Sequence, residues 1–127
     1  MIKLCVQYPA AIGSFFDFDY YVDVHLPMSE KLLQDFGFEG YEVQRCTTTV
    51  GGDDPEFLCI AQLLFRDLDA LRRGMAEHGA ALSADFARYT DIEPVATVTE
   101  VVASRNFNTG TKKGVEPTFR VEDAPNY

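Results

Sequence analysis

The chain has 127 residues, 46% of them hydrophobic and 24% charged, which suits one folded domain with a single core and excludes disordered, collagenous and low-complexity classes for its body. Its formal charge of -9 repels phosphate backbones and anionic membrane surfaces at long range, so neither nucleic acid nor membrane is expected as a partner. The acid is unevenly placed: residues 1–103 hold seven Lys or Arg against seventeen Asp or Glu, and residues 104–127 hold four against three.

Ile2, Leu4, Val6 and Tyr8 alternate with Lys3, Cys5 and Gln7, the period of a half-buried strand. Pro9 and Gly13 break it. From Asp17, a plausible N-cap, to about Phe36 the pattern is helical, with Gly37 and Gly40 closing the helix. Two extended runs follow, Tyr41 to Val50 and Phe57 to Phe65, and the five residues Gly51 to Pro55 between them predict a hairpin. Asp67 can cap a second helix carrying Leu68, Leu71 and Met75. After Gly79 a further short helical turn sets Leu82, Phe86 and Tyr89 at helical spacing, and Pro94 precedes a last strand, Val95 to Val102. This β-α-β-β-α-β order predicts a ferredoxin-like α+β fold, a four-stranded antiparallel sheet with both helices on one face. The other face would present Leu58, Ile60 and Leu64 or their strand neighbours, and covering it calls for a second copy of the chain. Residues 1–103 are thus expected to form the domain. Residues 104–127 read as an irregular arm, disordered or else docked through Phe107, Phe119 and Tyr127.

Cys5, Cys46 and Cys59 lie in apolar, strand-like runs without the spacing of a zinc site, and read as small hydrophobes in a reducing compartment. No stretch approaches the roughly 20 apolar residues of a membrane span, and the N-terminus turns polar too soon for a signal peptide. A cytoplasmic protein is expected.

The most informative residue is His25. Advancing 100° per residue from Tyr21 places Val24, His25, Met28, Leu32 and Phe36 within an arc of about 120°, with His25 near its centre and facing the sheet. It is either a core histidine bonded to the Tyr21 or Ser29 hydroxyl, or the polar group of a pocket between helix and strands. Pro27 deletes the bond to the Asp23 carbonyl, so either it strains the turn holding His25 or the helix begins near it. His78 ends the second helix beside Gly79 and suits its terminal carbonyls. Tyr89 reads as core or as a phenol for the pocket, and Asp85 and Asp91 as cap and turn residues. No Ser-His-Asp set, phosphate-cradling loop, dinucleotide fingerprint or HExxH motif is present, and two histidines without a cysteine cluster make a bound metal unexpected.

The Ile2-Lys3 strand ending in Tyr8-Pro9, the segment Phe16-Asp17-Phe18-Asp19-Tyr20-Tyr21 followed by His25-Leu26-Pro27, and Tyr89-Thr90-Asp91-Ile92-Glu93-Pro94 together resemble the EthD family, named for ethyl tert-butyl ether degradation. The resemblance spans about residues 1–102 and implies the dimeric α+β barrel fold. It also implies a relation to cofactor-free monooxygenases, lactone isomerases and polyketide cyclases, several of which use an inward histidine corresponding to His25 as acid or base. The tail departs from the family pattern, which ends soon after the last strand. On this basis His25 is the candidate catalytic residue, and Tyr21, Met28, His78, Phe86 and Tyr89 are candidate substrate contacts. The expected protein is a homodimer that binds a small apolar organic molecule and needs no cofactor. A non-catalytic accessory protein and a cofactor-free monooxygenase are the alternatives.

Overall fold

The computed structural model describes residues 1–107. In chain order the elements are β1 (Ile2–Pro9), α1 (Phe18–Tyr20), a π-helical turn (Tyr21–His25), α2 (Leu26–Leu33), β2 (Phe38–Arg45), β3 (Phe57–Phe65), α3 (Leu68–Ala84), a 3-10 turn (Phe86–Arg88) and β4 (Val95–Glu100). The strands form one sheet in the order β2-β3-β1-β4, every neighbouring pair antiparallel, which is the ferredoxin-like α+β arrangement. Of the arm expected over residues 104–127, the part beyond residue 107 lies outside the described residues.

Strand alternation decides what faces the helices. Leu4 pairs with Leu63 and Val6 with Ala61, and Cys59, Ala61, Leu63 and Phe65 are buried on that face. With Leu26, Leu33, Leu71 and Leu82 from the helices and Tyr8, Tyr21 and Tyr89 they make the core. Of the two sets the sequence left open, Leu58, Ile60 and Leu64 are the ones that point the other way and stay half-exposed. β4 is exposed along its whole length.

The first helical stretch is neither of the two alternatives read from Pro27 but a combination of both. Asp17 caps it, its side chain accepting from the Tyr20 N–H. Pro27 lacks an N–H and crowds the carbonyl of Asp23, so the turn ahead of it widens: the Leu26 N–H reaches Tyr21 O, five residues back, and α2 starts with Pro27 in its first turn. The Ser29 hydroxyl donates to the His25 carbonyl at 2.9 Å.

Five boundaries depart from expectation. Helix α2 ends at Leu33, not Phe36. Strand β2 begins at Phe38, because Gly40, at φ 148°, forms a bulge that lets pairing continue past it. The same strand stops at Arg45, since Thr48 and Thr49 turn to local partners: the Thr49 N–H donates to Asp53 O at 2.9 Å, and its hydroxyl accepts from the Asp53 N–H at 2.9 Å. The hairpin loop therefore spans residues 46–56. Helix α3 runs unbroken through Gly79, where Ala76, Ala80, Ala81 and Ala84 offset the glycine, so the separate helical turn expected after Gly79 is replaced by the 3-10 turn beyond Ala84. Finally β4 ends at Glu100, not Val102.

Gly37 holds the crossover between α2 and β2 at φ 68°, and a Cβ there would lie 2.8 Å from the Ala70 Cβ. Gly37→Ala meets both a left-handed backbone penalty and this clash, and is expected to cost about 2 kcal/mol or more. A urea midpoint lowered at unchanged slope is the expected measurement; an unchanged midpoint would show that the crossover tolerates a side chain.

Candidate functional site

Two segments far apart in sequence clasp each other and set the site. Phe16 bridges Thr90, the Asp17 N–H donates to the Tyr89 carbonyl at 2.7 Å, and the Thr90 hydroxyl donates to the Phe15 carbonyl at 2.7 Å. Asp91, read from the sequence as a turn residue, instead joins the clasp, accepting from the Phe15 N–H at 3.1 Å. The clasp brings the π turn against the 3-10 turn, so that His25 meets Tyr89 and Phe86, with ring centroids 4.8 Å and 5.8 Å away, while Tyr21 stacks on it at 5.3 Å.

His25 is 5% exposed and stands in the wall of a cavity of about 240 Å³ between the helices and the sheet. The cavity is lined by Leu4, Val6 and Leu63 from the sheet, by Met75, Leu82 and Phe86 from α3 and the turn after it, and by Tyr8, Tyr21, His25, Ser29 and Ser83, which carry polar groups. The imidazole's ring partner is neither Tyr21 nor Ser29. His25 Nδ1 lies 3.0 Å from Asp85 Oδ2, and the other Asp85 oxygen accepts from the Tyr20 hydroxyl at 2.9 Å and forms an ion pair with Arg88, Nε to Oδ1 3.3 Å. A carboxylate held by a donor and a cation on one oxygen has an acceptor left for Nδ1–H, and this leaves the Nε2 lone pair of a neutral imidazole unused by Asp85.

Behind the imidazole is a cluster of phenols. The Tyr8 and Tyr89 hydroxyls are 2.9 Å apart, with Tyr8 1% and Tyr89 0% exposed. Burial pushes the ionisation of Tyr8, Tyr21 and Tyr89 above the ordinary tyrosine range, so all three remain protonated donors across the pH range the fold experiences. Cys59 is likewise pushed up, to about 12, by burial and by the neighbouring Cys46 thiol, which makes it an inert core thiol.

Of the expected site residues, His25, Tyr21 and Phe86 line the cavity. Tyr89 stands behind the wall, touching it through the His25 ring and the Tyr8 hydroxyl. Met28 and His78 do not reach it. The face of the π turn and α2 that does so carries Tyr21, His25, Leu26 and Ser29, so Met28 falls on its flank and packs half-buried against the core. His78 turns toward the α2 side, its ring 5.5 Å from that of Phe36, while the next residue, Gly79, meets the cavity.

Sequence reading missed two residues. Asp85 was given only a cap's role because its bond to His25 spans 60 positions, a separation that no local pattern encodes. Tyr8 did carry a signal: it is the inward end of the β1 alternation and bears a hydroxyl that a buried tyrosine must satisfy. Among the described residues no group of three or more His, Cys, Asp or Glu is placed to hold a metal ion, and no helix is long and apolar enough to cross a membrane.

A family model described as EthD domain matches residues 15–93, a span containing both clasping segments. An EthD-like protein of known structure from Ralstonia eutropha JMP134 is 34% identical, the match covering 82% of this chain and 94% of that one at a TM-score of 0.76. An ethyl tert-butyl ether degradation family protein from Bacillus halodurans C-125 is 22% identical, covering 79% and 97% at a TM-score of 0.63. The fold is also that of SnoaB, a cofactor-independent oxygenase from Streptomyces nogalater, at 10% identity, 81% and 94% coverage and a TM-score of 0.57. Among the curated proteins none matches the chain.

Proposed function

The chain belongs to the EthD domain family, and from that premise we propose that it is an enzyme acting on a small, mostly apolar organic molecule by proton transfer at His25. One observation carries the proposal: a buried imidazole in the wall of a mostly apolar cavity is bonded through Nδ1 to a carboxylate. With Asp85 accepting from Nδ1–H, Nε2 can take a proton from carbon or oxygen of the substrate. The electron pair left behind moves onto a neighbouring carbonyl oxygen, and the imidazolium returns the proton to a different position, which completes an isomerisation or opens the way to cyclisation or elimination. Tyr21 orients the substrate from the same wall.

The proposed working form is a homodimer in the cytoplasm, in a pathway that degrades an ether or aromatic compound. Free Cys5, Cys46 and Cys59 accord with a reducing compartment. A thermal-shift screen of small ethers, phenols, lactones and ketones, followed by proton-exchange and product analysis in D₂O on every hit, tests the function. His25→Gln and His25→Ala, checked for fold by circular dichroism, are expected to lower exchange by about a hundredfold or more while ligand binding persists. Equal rates in wild type and both variants would remove the proton-transfer role. Binding without conversion in wild type would favour an accessory protein, and oxygen uptake with a quinol would favour the oxygenase alternative.

A further inference from the structure

We propose that the cavity takes an uncharged compound of one to two rings bearing a ketone or phenol oxygen, and that Tyr8 donates the hydrogen bond that holds this oxygen. The inference names the ligand class of the same site and rests on the proposed function for its reaction, though not for its binding.

Volume sets the size. A cavity of 150 Å³ in a protein interior accepts benzene, so this one of about 240 Å³ has room for a substituted ring or a fused pair. Charge is set by what the wall lacks. No Lys, Arg, Asp or Glu lines it among the described residues, and Asp85, behind the imidazole, is already engaged by His25, Tyr20 and Arg88. The one ionisable side chain of the wall, His25, is already paired with Asp85, so a carboxylate or ammonium entering would lose its hydration and meet no net counter-charge.

Four residues of the wall carry hydroxyls, Tyr8, Tyr21, Ser29 and Ser83. The Ser29 hydroxyl donates to the His25 carbonyl, the Tyr21 phenol leans on that of Tyr8, and Tyr89, fully buried, has its hydroxyl on that of Tyr8 as well, so Tyr8 is the one of the four that other phenols polarise. When Tyr89 donates to Tyr8, the Tyr8 proton is free for a ligand oxygen, and accepting one bond makes Tyr8 a better donor of the next. Burial keeps both phenols protonated, so neither competes with His25 as a base. Tyr89 is therefore a positioning residue, acting through Tyr8.

The test uses three probes of one shape on the full-length protein: naphthalene, 2-naphthol and 2-naphthoate, measured by equilibrium titration. In wild type 2-naphthol is expected to bind about tenfold tighter than naphthalene, and 2-naphthoate more weakly than both. Tyr8→Phe should erase the 2-naphthol advantage and leave naphthalene affinity within about twofold, which also certifies the fold of the variant. Tyr89→Phe should reduce that advantage without abolishing it. Equal binding of 2-naphthol and naphthalene in wild type, tighter binding of 2-naphthoate, no saturable binding of any probe, or an advantage that survives Tyr8→Phe would each overturn the inference. Tyr8-dependent binding of 2-naphthol without His25-dependent exchange in any ketone would sink the proton-transfer function and leave the ligand class standing. His25-dependent exchange with Tyr8-independent binding would do the reverse.

Discussion

Asp85→Asn is expected to lower proton exchange into a small ketone such as 2-tetralone by about a hundredfold, with the fold and the binding of neutral ring compounds retained. The reason lies in what holds the far oxygen. Tyr20 O–H donates to Asp85 Oδ1 and the Arg88 guanidinium lies beside it, so an asparagine there keeps its carbonyl on their side and turns its NH₂ toward His25. The imidazole must then accept at Nδ1 and carry its proton on Nε2, so it loses the lone pair it offers the cavity. A loss in kcat with little change in KM separates this tautomer effect from general damage. Asp85→Ala should behave differently, since it leaves a buried ring N–H without a partner, and a destabilisation of about 1–3 kcal/mol is expected. Full exchange activity in Asp85→Asn would mean that the pair is structural only.

The second large effect concerns assembly. The sheet face away from the helices carries Leu58, Ile60 and Leu64 on the central strand β3, with Cys5 beside them on β1 and Val95 at the edge, 51% exposed. In the proposed homodimer two such faces pack together, and light scattering is expected to give twice the 14.2 kDa protomer mass. Ile60 lies between Gln7 of β1 and Gln44 of β2, at the middle of the face. A carboxylate there would be buried without a partner in the dimer and solvated in the monomer. Ile60→Asp should therefore shift the protein to a folded monomer at micromolar concentration. A monomeric wild type would contradict the assembly.

The fold was legible because it is written in local periods. Alternation in Ile2 to Tyr8 assigned the faces of β1, the apolar run Phe57 to Phe65 marked β3 but left its faces open, and Asp17 and Asp67 marked the helix starts, each accepting from a backbone N–H three residues on. Boundaries failed where a local competitor outweighed the pattern. The hydroxyls of Thr48 and Thr49 drew a β-branched run out of β2, and the alanines around Gly79 carried α3 through a residue that reads as a break. The site was half legible. Helical spacing found His25, Tyr21 and Phe86, but treated the turn ahead of Pro27 as regular helix, and the widened turn moves the inward face off Met28 and onto Ser29. Asp85 and Tyr8 owe their roles to contacts across 60 and 81 positions, set by the crossover topology and not by spacing along the chain.

The most direct measurement of the central claim is the ¹⁵N spectrum of the histidines, with His78→Asn assigning the second of the two. At mildly alkaline pH, His25 should carry its proton on Nδ1 and show an unprotonated Nε2 whose signal moves when 2-naphthol is added. In Asp85→Asn the proton should change nitrogens. A proton on Nε2 in the wild type, or an Nε2 signal indifferent to every neutral ring compound that binds, would contradict the assignment of His25 as the base of this cavity.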